Sequence, residues 1–239
     1  MIQKKQYFKK SLFLTYVDIS KEDLSPISYG KNFELCASLF ALAIILDQEK
    51  NDLAITINLS NKEDKISVFL SNERFTGYTL NPYKVFDLEN SFIEIITTQG
   101  KEKSTHYIDI INNDLFGSIR NDFKKDNNLV EAFFMAKNEK EGIRVFKFER
   151  FPSSELNENE SNTVLNEKLS LEEYVSLLNL KLSLDHEYKI SCSCSKNHFV
   201  KVLKSLPKDK VKEIFQNDET IEINCGYCNK KYQININEI

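Results

Sequence analysis

Three features are missing from this 239-residue sequence, and each absence argues against a class of function. No apolar run approaches the roughly 18 residues that a membrane-spanning helix needs, so the sequence predicts no membrane span. The 32 basic side chains do not outnumber the 36 acidic ones, and because a phosphate backbone is bound by a basic surface, nucleic acid is disfavoured as a partner. P-loop, GxGxxG, HExxH and GxSxG motifs are also absent, so the sequence predicts no ordinary enzyme active site.

The N-terminal 20 residues have lysines ahead of a short apolar segment, but they make a poor signal peptide. Thr15 and Asp18 interrupt the apolar segment, and no small-residue cleavage site follows it. With 41% hydrophobic and 28% charged residues, the composition is that of a globular protein large enough to bury a core. We therefore expect a cytoplasmic protein.

The first 152 residues mix patterns typical of strands and of helices. Residues 33–46 are apolar on nearly every side and predict a buried helix, in which Cys36 is a small buried side chain. Apolar residues at helical spacing predict a second helix over residues 117–137. Strands are predicted over residues 11–17, 53–59, 65–70, 75–80, 91–98, 103–111 and 143–151. Because the order lacks βαβ regularity, we predict an α+β fold with a mixed strand and helix core over residues 1–152.

A change of composition after residue 152 predicts a linker over residues 153–187. Residues 153–168 are acidic, rich in Asn and almost without bulky apolar side chains. Ser170 and Glu173 then have the spacing of a capping box, which predicts the start of a helix. An apolar stripe follows at helical spacing, made of Leu171, Tyr174, Val175 and Leu178. The linker is therefore predicted to contain an amphipathic helix that packs on the core.

Four of the five cysteines lie in the last 48 residues, in two close pairs. Cys192 and Cys194 form the first pair, and Cys225 and Cys228 follow after thirty intervening residues. Four thiolates complete a tetrahedral ligand set for Zn²⁺ and leave no position for water or substrate, so the pattern predicts one structural zinc ion. An odd cysteine count clustered at one end, without an export signal, argues against a secreted disulfide framework.

The sequence around the cysteines predicts a small zinc domain over residues 188–239. Two helices are predicted between the pairs, and strand-like runs at residues 220–224 and 231–236 place the second pair on a β-hairpin with Gly226 in a tight turn. His198 is a less favoured ligand because the four cysteines already complete the set. His106 and His186 have no partners at ligand spacing.

A zinc domain of this size has a redox consequence. About 50 residues bury too little core, so the ion supplies the missing folding free energy, roughly 10–16 kcal/mol for structural zinc. Thiolates are also the oxidisable form of cysteine, and neighbouring cysteines can pair as disulfides once an oxidant forms a sulfenic acid. Because an oxidised pair binds zinc poorly, oxidation is expected to unfold the domain.

The sequence resembles the 33 kDa chaperonin family of redox-regulated heat-shock holdases, whose C-terminal pattern is Cys-x-Cys followed after about thirty residues by Cys-x-x-Cys. LSLEEYVSLLNLKLSLDHEYKISCSCS is similar to the family's linker helix and approach to the zinc domain, and CGYCNKKYQI to its zinc knuckle. Further upstream, FELCASLFALAIILDQEKNDLAITI and FTGYTLNP are similar to its core helix, strand and glycine-marked turn.

The resemblance implies a function and its site. Cys192, Cys194, Cys225 and Cys228 would bind Zn²⁺ when reduced, and would form the disulfides Cys192–Cys194 and Cys225–Cys228 under oxidative stress. The implied activity is ATP-independent binding of unfolding client proteins under oxidative and heat stress, with a homodimer as the oxidised form. Such a protein is not an enzyme and needs neither nucleic acid nor membrane.

Two other functions fit parts of the pattern. A zinc-stabilised interaction or nucleic-acid module would keep its zinc and its fold in oxidant. A thiol oxidoreductase could use Cys225 and Cys228, but that chemistry favours a first cysteine at a helix N-terminus, and a β-prone run follows this pair.

Overall fold

The computed structural model describes most of the chain. The described residues are 1–25, 27, 29–47, 52–71, 74–81, 83–126, 129–137, 141–152, 154–192, 194–216, 218–226, 228 and 230–239. Within them the fold mixes strands and helices, which confirms the predicted α+β class. None of the helices in this part of the chain is long and apolar enough to cross a membrane.

Most of the strands belong to one large sheet. In chain order the strands are β1 (Ile2–Lys9), β2 (Leu12–Ile19), β3 (Leu53–Ser60), β4 (Lys65–Ser71), β5 (Arg74–Thr79), β6 (Phe92–Gln99), β7 (Glu102–Asp109), β8 (Val130–Lys137), β9 (Ile143–Arg150), β10 (Lys181–Ile190), β11 (Thr220–Asn224) and β12 (Lys231–Asn235). The sheet has the order β7-β6-β3-β4-β5-β10-β1-β2-β9-β8, and β11 pairs with β12 in a separate hairpin.

Six α-helices accompany the strands in the described residues. They are α1 (Phe33–Leu46), α2 (Leu115–Asp126), α3 (Glu158–Val164), α4 (Leu171–Leu177), α5 (Lys196–Lys204) and α6 (Lys208–Phe215), and a 3₁₀ turn follows at Ile236–Glu238.

The helix α1 forms the centre of the main core. It contacts β3, β4 and β5 in one half of the sheet and β2 and β9 in the other half. Its side chains from Cys36 to Ile45 are buried all round the helix, because both halves of the sheet pack against it. The predicted buried helix and the buried Cys36 are therefore confirmed.

The helices α3 and α4 pack on a second apolar cluster over β2, β8 and β9. Val164 and Tyr174 are fully buried there. The ring of Tyr174 lies 5.0 Å from that of Phe148 and 5.4 Å from that of Phe146. Ser170 and Glu173 form the predicted capping box at the start of α4, which confirms that an amphipathic helix packs on the core.

Some predicted elements are wrong. Residues 117–137 are not one helix, because α2 ends at Asp126 and β8 begins at Val130 as a strand paired with β9. A helix that was not predicted, α3, lies within residues 153–168 and has a capping box of its own at Asn157 and Glu160. By contrast, Gly77 lies within β5, the strand predicted over residues 75–80, at a position where an added Cβ would come within 2.8 Å of the Ser67 carbonyl oxygen.

Besides β8, the strands β1 and β10 were not predicted. The strand β1 pairs with β2 and β10. The strand β10 pairs antiparallel with β1, and through Lys189 and Ile190 parallel with β5. It therefore joins the two halves of the sheet, and the predicted boundary between residues 187 and 188 lies inside it.

Candidate metal centre

The C-terminal segment has the predicted order of two helices followed by a hairpin. The helices α5 and α6 lie between the two cysteine pairs, and β11 and β12 flank the second pair. Its core is small: Leu203, Val211, Phe215 and Ile234 are buried, with a few half-buried neighbours around them. So small a core contributes little folding free energy, and an additional source of stability is needed.

The structure brings all four predicted cysteines together. The sulfur atoms of Cys192, Cys194, Cys225 and Cys228 all lie within 4.8 Å of one another. The Sγ of Cys192 is 3.6 Å from that of Cys225, and the Sγ of Cys194 is 3.3 Å from that of Cys228. Four sulfurs around one zinc ion at about 2.3 Å would be about 3.8 Å apart, so this donor set fits a tetrahedral zinc ion.

Each pair of cysteines is held by a secondary-structure element. Cys192 comes two residues after the end of β10, and Cys194 immediately precedes Ser195, whose side chain caps α5. Cys225 follows β11, and its backbone N–H donates to the carbonyl oxygen of Lys230 at 2.9 Å, which closes the hairpin loop. The cluster therefore joins the end of the large sheet to the hairpin.

The cluster borders a cavity of about 590 Å³ between the C-terminal segment and the large sheet. Cys192, Cys194 and Cys225 line one side, and residues of β3, β4 and β5, including Thr56 and Ser67, line the other. Cys225 is buried, whereas the other three cysteines of the cluster are partly exposed. Cys192, Cys194 and Cys228 are therefore the cysteines of the cluster that are open to a small dissolved oxidant.

Tyr232 is a neighbour of the cluster that was not predicted from the sequence. Its hydroxyl lies 3.1 Å from the Sγ of Cys194 and donates to the carbonyl oxygen of Cys194, also at 3.1 Å. The sequence does contain a pattern that indicates this position. Tyr232 and the buried Ile234 are two residues apart on β12, so strand alternation places both side chains on the inward face.

The thiols of Cys192, Cys194 and Cys228 differ in their pKa values. Burial raises the pKa of the Cys194 thiol, but hydrogen bonds with Tyr232 and with the other cysteines outweigh it and lower the pKa to about 7. Burial raises the pKa of the Cys228 thiol to about 12 and also raises that of Cys192. The bond to Cys194 raises the pKa of Tyr232 to about 12. Of these three thiols, that of Cys194, beside the tyrosine hydroxyl, is thus the most readily ionised.

The other candidate residues lie apart from the cluster. His198 borders the cavity but is not among the grouped donor atoms. The Nε2 of His106 is 2.7 Å from the Oδ2 of Asp122, at the far end of the sheet. Cys36 is fully buried in α1, and burial raises its pKa to about 12. Gly226 does lie in the hairpin loop, but an added Cβ would meet no atom within 4 Å, so the turn does not require glycine.

The last strand before the cluster is anchored deep in the core. Tyr188 of β10 is fully buried, and its hydroxyl donates to the Oδ2 of Asp47 at the end of α1, at 2.8 Å. The ammonium group of the buried Lys4 donates to the backbone oxygen of the same aspartate, also at 2.8 Å. These bonds connect β10 and β1 to the central helix α1. Tyr188 lies only four residues before Cys192.

Comparison with known proteins finds similarity to the 33 kDa chaperonins. A family model described as Hsp33 protein matches residues 134–235. Similar relatives named 33 kDa chaperonin come from Clostridium botulinum strain Eklund 17B (34% identity, 32% of this chain, 28% of the relative) and Limosilactobacillus fermentum (43% identity, 22% of this chain, 17% of the relative). The matches to these relatives thus span less than a third of the relatives' own lengths.

A solved structure extends the similarity of fold to nearly the whole chain. The crystal structure of the 33 kDa chaperonin (heat shock protein 33 homolog) from Thermotoga maritima aligns with a TM-score of 0.69 at 13% sequence identity. The alignment covers 99% of this chain and 95% of that one. The resemblance to the 33 kDa chaperonin family is therefore confirmed.

Proposed function

We propose that this protein is a cytoplasmic, ATP-independent holdase that binds unfolding proteins after its zinc-bound cysteines are oxidised. The observation that carries the proposal is the convergence of four sulfur atoms at the end of β10. The similarity to the 33 kDa chaperonins supports it. The proposed activity is binding rather than catalysis, and it protects the cell against oxidative and heat stress.

In the reduced state, Cys192, Cys194, Cys225 and Cys228 hold one Zn²⁺ ion as thiolates. The ion supplies folding free energy and carries out no reaction, because four protein ligands leave no coordination position open. The small core around Phe215 supports this dependence on metal. The four cysteines thus keep the C-terminal segment folded while they remain reduced.

The proposed switch is a two-electron oxidation at each cysteine pair. A thiolate sulfur attacks one oxygen of a peroxide: an S–O bond forms, the O–O bond breaks, and hydroxide leaves, giving a sulfenic acid. The sulfur of the neighbouring cysteine then attacks the sulfenyl sulfur: an S–S bond forms, the S–O bond breaks, and water is released. The proposed products are the disulfides Cys192–Cys194 and Cys225–Cys228, which no longer offer four thiolates to the ion.

The position of β10 provides a route from the cluster to the core. Cys192 is two residues beyond a strand that pairs with both β1 and β5. When the C-terminal segment unfolds, β10 loses its anchor at that end. We propose that residues 188–239 act as the redox switch and that residues 153–187 are the linker released by it.

The surface under the linker is suited to binding unfolded clients. Buried below α3 and α4 are the apolar side chains Leu12, Leu14, Tyr16, Phe134, Phe146 and Phe148. Unfolding proteins expose apolar segments, which bind to apolar surface that has lost its cover. Residues 1–152 would therefore bind clients, and the uncovered surface would also favour a homodimer of the oxidised form.

An aggregation assay tests the proposal. The reduced, zinc-loaded chain is expected to leave the thermal aggregation of a model client unchanged, and the peroxide-treated chain is expected to suppress it. Zinc release and free thiols are measured on the same samples. The variant Cys36→Ala is the control and should behave like the parent chain, because Cys36 is outside the cluster. Equal suppression before and after peroxide would contradict the switch.

The same samples distinguish the alternatives. A zinc-stabilised module without a redox role would retain its zinc in peroxide. A thiol oxidoreductase would reduce insulin disulfides with turnover, whereas a holdase would not. Peptide mapping of the oxidised chain tests the pairing, because a disulfide between Cys192 and Cys225 would contradict the proposed one.

A further inference from the structure

We propose that the Tyr232 hydroxyl is a positioning residue that holds the Cys194 thiolate and slows its oxidation, and so sets how much oxidant opens the switch. This inference rests on the proposed function, since it concerns the same four cysteines. Tyr232 is not a ligand in this assignment, because its oxygen contacts a ligand sulfur and a backbone oxygen.

The hydroxyl is fixed in place from two sides. It lies 3.1 Å from both the Sγ and the carbonyl oxygen of Cys194. The tyrosine ring packs against Phe199 of α5 with ring centroids 5.3 Å apart. Tyr232 itself pairs with Ile223 across the hairpin. The oxygen is therefore held by the strand on one side and by Cys194 on the other, and the Phe199 ring is a neighbour of the tyrosine ring.

Within the described residues, Cys194 is the one cysteine of the cluster whose sulfur contacts a hydroxyl group. The hydroxyl has a single proton and two acceptors at equal distance, and a thiolate is the stronger acceptor because it is charged. Loss of the Cys194 proton on metal binding therefore draws the hydroxyl proton to the sulfur. Hydrogen-bonded partners of this kind orient a metal ligand and tune its metal.

The hydrogen bond also affects the reaction of sulfur with oxidant. The lone pair that accepts the hydroxyl proton is less available to attack a peroxide oxygen. A phenylalanine at this position would keep the ring contact with Phe199 but lose the proton donor. The Cys194 sulfur would then be both a less firmly held ligand and a better nucleophile.

The test compares the reduced, zinc-loaded full chain with three variants. Tyr232→Phe removes the hydroxyl, Phe199→Leu removes the ring neighbour and keeps the hydroxyl, and Tyr107→Phe removes a hydroxyl bonded to Glu94, outside the C-terminal segment. A coloured chelator records zinc release with and without excess peroxide, and alkylation with mass spectrometry records the oxidised fraction of Cys194 and of Cys225.

We expect Tyr232→Phe to bind zinc about 10-fold more weakly, the lower end of the range for partners of metal ligands. Its zinc release in peroxide should be faster, with Cys194 oxidised earlier relative to Cys225. Phe199→Leu and Tyr107→Phe should remain close to the parent chain. If Tyr232→Phe fails to load zinc while Phe199→Leu loads normally, the hydroxyl is required and the proposal is supported.

Two results would overturn the inference. Parent-like release by Tyr232→Phe would show that the hydroxyl does not matter, and equal changes, or equal failure to load zinc, in Tyr232→Phe and Phe199→Leu would show that ring packing alone matters. Failure of the proposed function gives a different result: the parent chain would keep its zinc in peroxide. The chelator measurement without oxidant would then still report the effect of Tyr232 on metal affinity.

Discussion

Asp47, at the end of α1, receives hydrogen bonds from two strands that lie far apart in the sequence. Its carboxylate accepts from Tyr188 and its backbone oxygen accepts from Lys4. A lysine with no exposed surface is costly to bury unless its ammonium group is hydrogen-bonded. The hydrogen bond to Asp47 therefore offsets part of the cost of burying Lys4, and Tyr188 bonds the same aspartate.

This arrangement predicts the effect of Tyr188→Phe. Removing a hydrogen bond to a charged group should lower the free energy of unfolding by about 1.5–3 kcal/mol. Urea unfolding of the reduced, zinc-loaded chain measures the change. Tyr83→Phe is the matched control, because Tyr83 is 87% exposed. Equal midpoints for the two variants would argue against a role of Tyr188 in holding β10.

Single residues also differ in how far the sequence reveals them. The cluster of Cys192, Cys194, Cys225 and Cys228 was predictable because two close cysteine pairs can hardly serve another site in so short a segment. The contact of Tyr232 with Cys194 was not, because it depends on how the hairpin packs against α5. The buried Lys4 was hidden as well, since a lysine in a strand pattern normally indicates a solvent-facing position.

At the scale of elements, α4 depends on a short capping motif. The side chain of Ser170 accepts from the backbone N–H of Glu173, and the carboxylate of Glu173 accepts from the backbone N–H of Ser170. The helix has only seven residues, so each end bond is a large part of its stability.

Ser170→Ala is therefore expected to destabilise α4 by about 1 kcal/mol. Hydrogen exchange at residues 171–177 should become faster in the reduced chain, and less peroxide should be needed to switch on the proposed holdase activity. Ser176→Ala in the same helix is the control, because that side chain is exposed and does not cap the helix. Unchanged exchange in Ser170→Ala would contradict the importance of the cap.

Elements were predictable where one pattern dominated. The helix α1 was found with its bounds because thirteen of its fourteen residues are apolar or small, Glu34 being the exception. The strand β8 was mistaken for helix because Ala132, Phe133 and Phe134 are all buried, so the two-residue alternation of a strand is lost where both faces are covered. The strand β10 was missed because its partners, β1 and β5, lie more than a hundred residues upstream.

At the scale of the whole molecule, stability is unevenly distributed. The main core extends over α1 and both halves of the sheet, whereas the described residues of the C-terminal core include four buried hydrophobic side chains besides Cys225. Removing zinc with a strong chelator should therefore unfold residues 196–235 and leave α1 protected. Hydrogen exchange with mass spectrometry measures both regions in one sample, and magnesium-loaded chelator is the control. Equal protection of the C-terminal segment with and without metal would contradict its dependence on zinc.

The place of β10 in the sheet has a consequence for synthesis on the ribosome. The strands β1 and β5 are made early, but the strand that lies between them is completed only at residue 190. Until then the nascent chain carries two open sheet edges, which are sites for pairing with other chains. Synthesis of β10 closes this gap, and the four clustered cysteines follow within the last 48 residues. A newly synthesised chain therefore passes through a state with two unpaired sheet edges before it can form the cysteine cluster.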